Sequence, residues 1–253
     1  MKKYLFIAGC PRSGTSALVR ILSFSKDIVI GMERFGHLVS KKKFQLNKSH
    51  FETERFFKLE PNDTFYDDII KFHWKLYPNM REKYETAKIV GDKRPDLYQS
   101  YDELFKNFPE AKVIFIYRQL DEVASSYTAR ARQQDSWPTN KDYKQAVVDW
   151  NESLYLTLKA LKKGYNIKVV EYKSIFQSNM SLDDLFEFVE AEKDDKVEQG
   201  IIRVRDVAAK LESERKMLLN KNELAFVNKK INNLALDDIQ KFLHVNINSS
   251  PKC

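Results

Sequence analysis

Tyr4, Leu5, Phe6, Ile7 and Ala8 form an unbroken apolar run. The next residues read Gly9, Cys10, Pro11, Arg12, Ser13, Gly14, Thr15 and Ser16, after which apolar side chains recur at Leu18, Ile21 and Leu22. A short run without polar alternation is a strand buried on both faces, and the spacing that follows marks one side of a helix. A strand that enters a helix through a glycine-bounded turn is half of a crossover unit. It commits the chain to a parallel sheet with helices packed on it. The order then repeats, with strands expected at residues 28–30, 89–90, 112–117 and 167–170. Helices are expected over 15–25, 101–108, 121–132, 141–163, 181–189 and 223–232, and 37–86 reads as helical and broken by loops. Gly164 suits a helix C-cap, and Asn220 with Glu223 has the pattern of a capping box. The expected architecture is α/β: one domain over residues 1–253, with a central parallel sheet flanked by helices on both faces.

The first turn is spaced for a phosphate. Gly9 and Gly14 stand as far apart as the glycines of the nucleotide-binding pattern G-x-x-x-x-G-K-[ST], but Thr15 occupies the place of its lysine. Amides at a helix N-terminus still form an anion cradle. The lysine that reaches terminal phosphates is missing, so the turn suits a phosphate ester better than phosphoryl transfer from ATP. With 7 glycines in 253 residues, two at this spacing are informative.

A second stretch runs from Arg118 to Ser126. Arg118 leaves the end of the strongest strand and Ser126 lies eight residues on, in the following helix. Open α/β sheets bind ligands at the carboxyl ends of their strands. An arginine there, with a hydroxyl two turns along, is placed to clamp a second phosphate. Two anion sites imply one ligand with phosphates at both ends.

Together these stretches resemble the sulfotransferases that use 3′-phosphoadenosine 5′-phosphosulfate, in motif style the carbohydrate, glycosaminoglycan and bacterial members. Pro11, Arg12, Ser13, Gly14, Thr15 and Ser16 look like the family's 5′-phosphosulfate loop, and Arg118 with Ser126 like its 3′-phosphate site. Residues 220–234 look like its C-terminal helix. The resemblance implies a P-loop-like sulfotransferase fold, that nucleotide as sulfuryl donor, adenosine 3′,5′-bisphosphate as product, and no metal. It implies as acceptor a hydroxyl, less readily an amine, of a carbohydrate, lipid or small molecule. Many relatives carry Asp-Pro after the arginine where this chain has Gln119 and Leu120, a departure that bears on the loop but is compatible with both expected anion contacts. The resemblance implies that, without a divalent metal, backbone amides and Arg12 would carry the electrostatic work and the hydroxyls of Thr15 and Ser16 would donate to the 5′-phosphate.

The reaction needs a base. Glu33, just past the second strand, resembles the catalytic glutamate of relatives acting on glycosaminoglycans; pairing with Arg34 or another surface cation is its structural alternative. A histidine (His37, His50 or His73) is the other candidate, as in relatives that sulfate phenols and steroids. Lys93, within Gly91, Asp92, Lys93, Arg94 and Pro95, resembles a Glu-Lys-x-Pro segment and would neutralise the sulfate or the bridging oxygen, unless the stretch is a solvated charge run. Tyr127, Trp137 and the aromatics of residues 51–77 are candidates for an acceptor groove or for stacking on adenine, with core packing the alternative. Arg203, Arg205 and Lys210 are candidates for a further 3′-phosphate contact, while Glu171 and Tyr172 look structural.

The net charge of +7 is spread with both signs mixed, which argues against a nucleic-acid partner and is either solubilising or attractive to an anionic ligand. Two cysteines, Cys10 and Cys253, make neither a disulfide framework nor a zinc pattern. No apolar run is long enough to cross a membrane and no signal peptide is visible, so a cytoplasmic location is expected. Two other functions compete. A P-loop-type small-molecule kinase with a degenerate phosphate loop needs a magnesium ligand, for which Asp92 is the one loose candidate. A nucleotide-binding module without catalysis keeps Arg12, Arg118 and Ser126 but has no use for Glu33 and Lys93.

Overall fold

The computed structural model describes residues 2–41, 43–63, 77–133, 137–214 and 218–243. The chain opens with β1 (Lys3–Ala8), α1 (Thr15–Leu22) and β2 (Ile28–Met32), then a small hairpin of β3 (Val39–Ser40) and β4 (Lys43–Phe44), α2 (Thr53–Phe57) and α3 (Tyr77–Tyr84). Next come β5 (Ile89–Lys93), α4 (Tyr101–Asn107), β6 (Lys112–Tyr117), α5 (Leu120–Gln133), α6 (Tyr143–Lys162) and β7 (Ile167–Glu171). It closes with α7 (Tyr172–Phe176), α8 (Asp183–Val189), α9 (Asp195–Ser213), α10 (Lys221–Lys229) and α11 (Asn233–Gln240). Among the described residues no helix is long and apolar enough to cross a membrane.

The main sheet has five strands in the order β2-β5-β1-β6-β7, every neighbouring pair parallel, with helices on both faces. The chain winds from β1 outward to β2, returns through β5, and then crosses to β6. The winding direction reverses between β1 and β6, and the crevice outside the carboxyl ends of such a pair is where doubly wound sheets take ligands. Both motif stretches leave the sheet there. The drive for this arrangement is burial: Leu5, Phe6, Ile7 and Ala8 are at most 1% exposed. Phe6, Phe51 and Phe108 pack edge to face beneath them, with centroids 5.2–5.8 Å apart. Phe51 and Phe56 are therefore core residues, not walls of an acceptor groove.

Three departures from the sequence reading have physical causes. β5 runs on through Gly91, Asp92 and Lys93, all buried, although their polarity suggests a loop. A Cβ at position 91 would lie 1.6 Å from the Leu5 carbonyl oxygen, so glycine is what lets β5 close on β1. The β3–β4 hairpin has two residues per strand, too few for a period to register. The helix Asp195–Ser213 also escapes the periodicity, because it buries Val197, Gly200, Ile201 and Ala208 while Ile202, Val207 and Leu211 face solvent. The capping box of Asn220 with Glu223 is present, and Gly164 follows α6 with φ 79°.

Candidate active site

The turn after β1 leads into the N-terminus of α1. Gly14 is the N-cap of α1 and brings no side chain to cap it, and the first turn carries no acidic residue. The first amides of any helix lack intrahelical acceptors and carry the positive end of its dipole. The Ser13 hydroxyl, wholly buried, has no hydrogen-bond partner. Thr15 is buried, Pro11, Gly14 and Ser16 are partly exposed, and Arg12 is exposed. Arg12 has φ 71°, a left-handed conformation uncommon for a side chain of this kind. Behind the turn, Cys10 is sealed in, 3.8 Å from the Tyr127 hydroxyl, and burial pushes its thiol pKa up. Tyr127, fully buried, donates to Asp149 at 3.0 Å and packs edge-on against Trp137 at 5.1 Å. Tyr127 is thus part of the wall behind the cradle and not an exposed stacking platform.

The two motif stretches meet. Arg12 Nε donates to Ser126 Oγ at 3.0 Å, so the turn after β1 and the helix after β6 face one crevice. Arg118 is 4% exposed, and its guanidinium lies over the Tyr172 ring at 3.8 Å. The buried indole of Trp150 donates to the Arg118 carbonyl at 2.7 Å, which fixes the chain where it leaves β6. Two carboxylates hold the guanidinium: Glu122, one helical turn on, and Glu212 at 2.9 Å. Sequence reasoning missed Trp150, Glu122 and Glu212, and assigned Tyr172 no place beside Arg118; only the fold brings them together. The same helix carries the basic candidates. Arg205 donates to the Ile175 and Met180 carbonyls, and Arg203 and Lys210 are exposed.

On the other side of β1, Lys93 and Glu33 form a pair. Lys93 pairs in register with Ile7 of β1 and Met32 of β2, which puts it beside the turn. Two bonds tie the continuation of β5 to that turn: Arg94 N–H to the Ile7 carbonyl at 2.9 Å, and Gly9 N–H to the Pro95 carbonyl at 3.0 Å. Lys93, 3% exposed, places its ammonium 2.6 Å from Glu33 Oε1, whose side chain is 44% exposed. The Asp92–Lys93–Arg94 stretch is accordingly built into the sheet's end, not solvated. Arg34 does not pair with Glu33. It is buried, 2.7 Å from Asp63, and donates to the carbonyls of Phe56 and Lys58. Asp92, weighed as a magnesium ligand, spends its oxygens on the amides of Lys93, Arg34 and Phe35. His37 lies 3.7 Å from Asp63, and His50 caps a short helix with Asn47; His73 lies outside the described residues.

A glycine-bounded turn thus sits at the winding reversal of a parallel sheet, beside a buried arginine and a lysine–glutamate pair. The sequence matches the sulfotransferase family over residues 5–195, and the chain belongs to that family. No curated protein is similar enough to match. Among solved structures, the fold is similar to the sulfotransferase domain of the Synechococcus PCC 7002 olefin synthase, with 17% identity, 97% of each chain covered and a TM-score of 0.52. A sulfotransferase from Alicyclobacillus acidocaldarius gives 16%, 97% of each chain and 0.50. One from Mycobacterium tuberculosis gives 15%, 80% of this chain, 71% of that one and 0.50.

Proposed function

We propose that the protein transfers a sulfuryl group from 3′-phosphoadenosine 5′-phosphosulfate to a hydroxyl of a carbohydrate, lipid or small-molecule acceptor and releases adenosine 3′,5′-bisphosphate. The observation that carries this is the 3.0 Å bond from Arg12 to Ser126, which joins the two anion corners in one crevice. A nucleotide esterified at both ends is the ligand such a pair selects. The residues present fit it. Ser13 has a buried hydroxyl in need of a partner, the first turn of α1 has neither side-chain cap nor acid, and Arg118 offers a preorganised cation. Pro11, Arg12, Ser13, Gly14, Thr15 and Ser16 would hold the 5′ end, and Arg118 with Ser126 the 3′ end.

When bound, the nucleotide supplies a sulfuryl group whose bond to the 5′-phosphate oxygen breaks as the bond to the acceptor oxygen forms. Glu33, with its side chain partly exposed, takes the proton of the acceptor hydroxyl. Lys93 orients that carboxylate and places a positive charge next to the turn, where negative charge grows during transfer. Arg12 and the turn amides share that electrostatic role, fixed in place before the reaction and so needing no reorganisation.

Isothermal calorimetry tests the reading. In magnesium-free buffer, adenosine 3′,5′-bisphosphate is expected to bind about 100-fold more tightly than ATP, and Arg118→Ala to weaken the bisphosphate about 10- to 100-fold, the scale of charge-assisted hydrogen bonds. Equal affinity for the two nucleotides, or binding that requires the metal, overturns it.

A further inference from the structure

We infer that Asp92 is a positioning residue for Glu33: its buried carboxylate holds the two amides that follow Glu33 and so keeps that side chain against Lys93. This rests on the reading of Glu33 as the base. Glu33 has φ 61°, a conformation an L residue keeps only when its surroundings impose it. The contacts that impose it converge on Asp92. Glu33 N–H donates to the Lys93 carbonyl at 2.8 Å. Arg34 N–H donates to Asp92 Oδ1 at 3.1 Å and Phe35 N–H to Oδ2 at 3.4 Å, while Oδ1 also takes the Lys93 N–H at 2.9 Å. β2 leaves room for this carboxylate at Gly31, where a Cβ would lie 2.7 Å from Asp92 Oδ1. The far end of the turn is bolted down through Arg34, whose guanidinium is held by Asp63 and the Phe56 and Lys58 carbonyls. With both ends fixed, Glu33 projects toward Lys93 at 2.6 Å.

The arrangement has a cost. Asp92 is 4% exposed, and burial pushes its pKa up to about 6 against the opposing pull of the Arg34 and Phe35 amides. A carboxylate in the sheet destabilises it relative to a residue that never ionises. Its use is geometric: two oxygens gather three amides of two neighbouring strand ends, which no apolar side chain can do.

Two substitutions separate geometry from bulk. Asp92→Ala removes the acceptors, whereas Asp92→Asn keeps a carbonyl oxygen for the Arg34 and Lys93 amides. Amide hydrogen exchange at Arg34 should accelerate about 10-fold or more in Asp92→Ala and stay close to wild type in Asp92→Asn, whereas exchange at Phe35, which loses its Oδ2 acceptor in both variants, should accelerate in both. Turnover is read as sulfate released from 3′-phosphoadenosine 5′-phosphosulfate with water as acceptor. It should fall about 10- to 100-fold in Asp92→Ala and return to within about 5-fold in Asp92→Asn, with bisphosphate affinity within about 2-fold of wild type in both. If Asp92→Ala does not fold, Asp92→Leu, which fills the space without an acceptor, is read the same way. Unchanged exchange, unchanged turnover, or a turnover loss matched by an equal loss of bisphosphate affinity overturns the assignment. Glu33→Gln distinguishes its failure from that of the base. Full turnover in Glu33→Gln with accelerated exchange in Asp92→Ala removes the base and, with it, the catalytic part of the assignment. A loss of about 100-fold in Glu33→Gln with unchanged exchange in Asp92→Ala keeps the base and removes the clamp.

Discussion

At the scale of single residues, Asp92 leaves a signature in stability as well as in turnover. Its pKa is raised from 3.8 to about 6 in the fold, with Lys93 lowering it and Glu33 raising it beyond the effect of burial. The folded protein therefore holds this proton where the unfolded chain has released it. Stability from this group is complete below the unfolded value and is lost as pH rises through the folded one. Asp92→Asn has no such dependence. The melting temperature of wild type should fall relative to Asp92→Asn between about pH 4 and pH 6 and keep a constant offset above that window. A difference that does not change with pH across the window would mean that the carboxyl titrates alike in both states. Among the residues proposed for the site, Arg12, Ser13, Arg118, Ser126, Glu33 and Lys93 were singled out by two spacings and a family resemblance. Asp92 was visible as part of a charged segment and as a loose magnesium candidate but not as an acceptor of amides, because which amides a carboxylate gathers depends on the neighbouring strand and not on its own sequence.

At the scale of elements, the helix Asp195–Ser213 deserves a role that its sequence did not suggest. It delivers Glu212 to Arg118 from 94 positions away, at 2.9 Å. A phosphate dianion arriving at Arg118 meets this carboxylate as a competitor. Glu212→Gln should therefore tighten binding of adenosine 3′,5′-bisphosphate about 3- to 10-fold, by calorimetry at low salt, and the gain should shrink as salt screens it. Weaker binding would mean instead that Glu212 holds the guanidinium in its receptive pose. Strands were readable because parallel strands buried on both faces are continuous apolar runs; 112–117 matches β6 residue for residue. The carboxyl end of β5 was not, because the site's own polar residues occupy it.

At the scale of the whole molecule, the sheet is the ruler for the site. The cradle hangs from β1, Lys93 from β5 and Glu33 from β2, three adjacent strands whose hydrogen-bond register sets their separations. Substitution at the β5–β1 contact should be felt everywhere. Gly91→Ala places a methyl 1.6 Å from the Leu5 carbonyl oxygen and should cost about 3 kcal/mol or more in chemical denaturation, with loss of the cooperative transition as the extreme. Gly164→Ala is the matched control: nothing lies within 4 Å of its Cβ position, and its φ of 79° alone should cost about 1 kcal/mol.

The left-handed backbones of Arg12 and Glu33 carry a further lesson for the lineage of this chain. Each holds a long side chain in a pose that glycine or asparagine would adopt with less penalty. A descendant freed from the proposed chemistry would drift toward those smaller residues and gain heat tolerance on the way. The hardiest offspring of this fold should be the ones that have fallen silent.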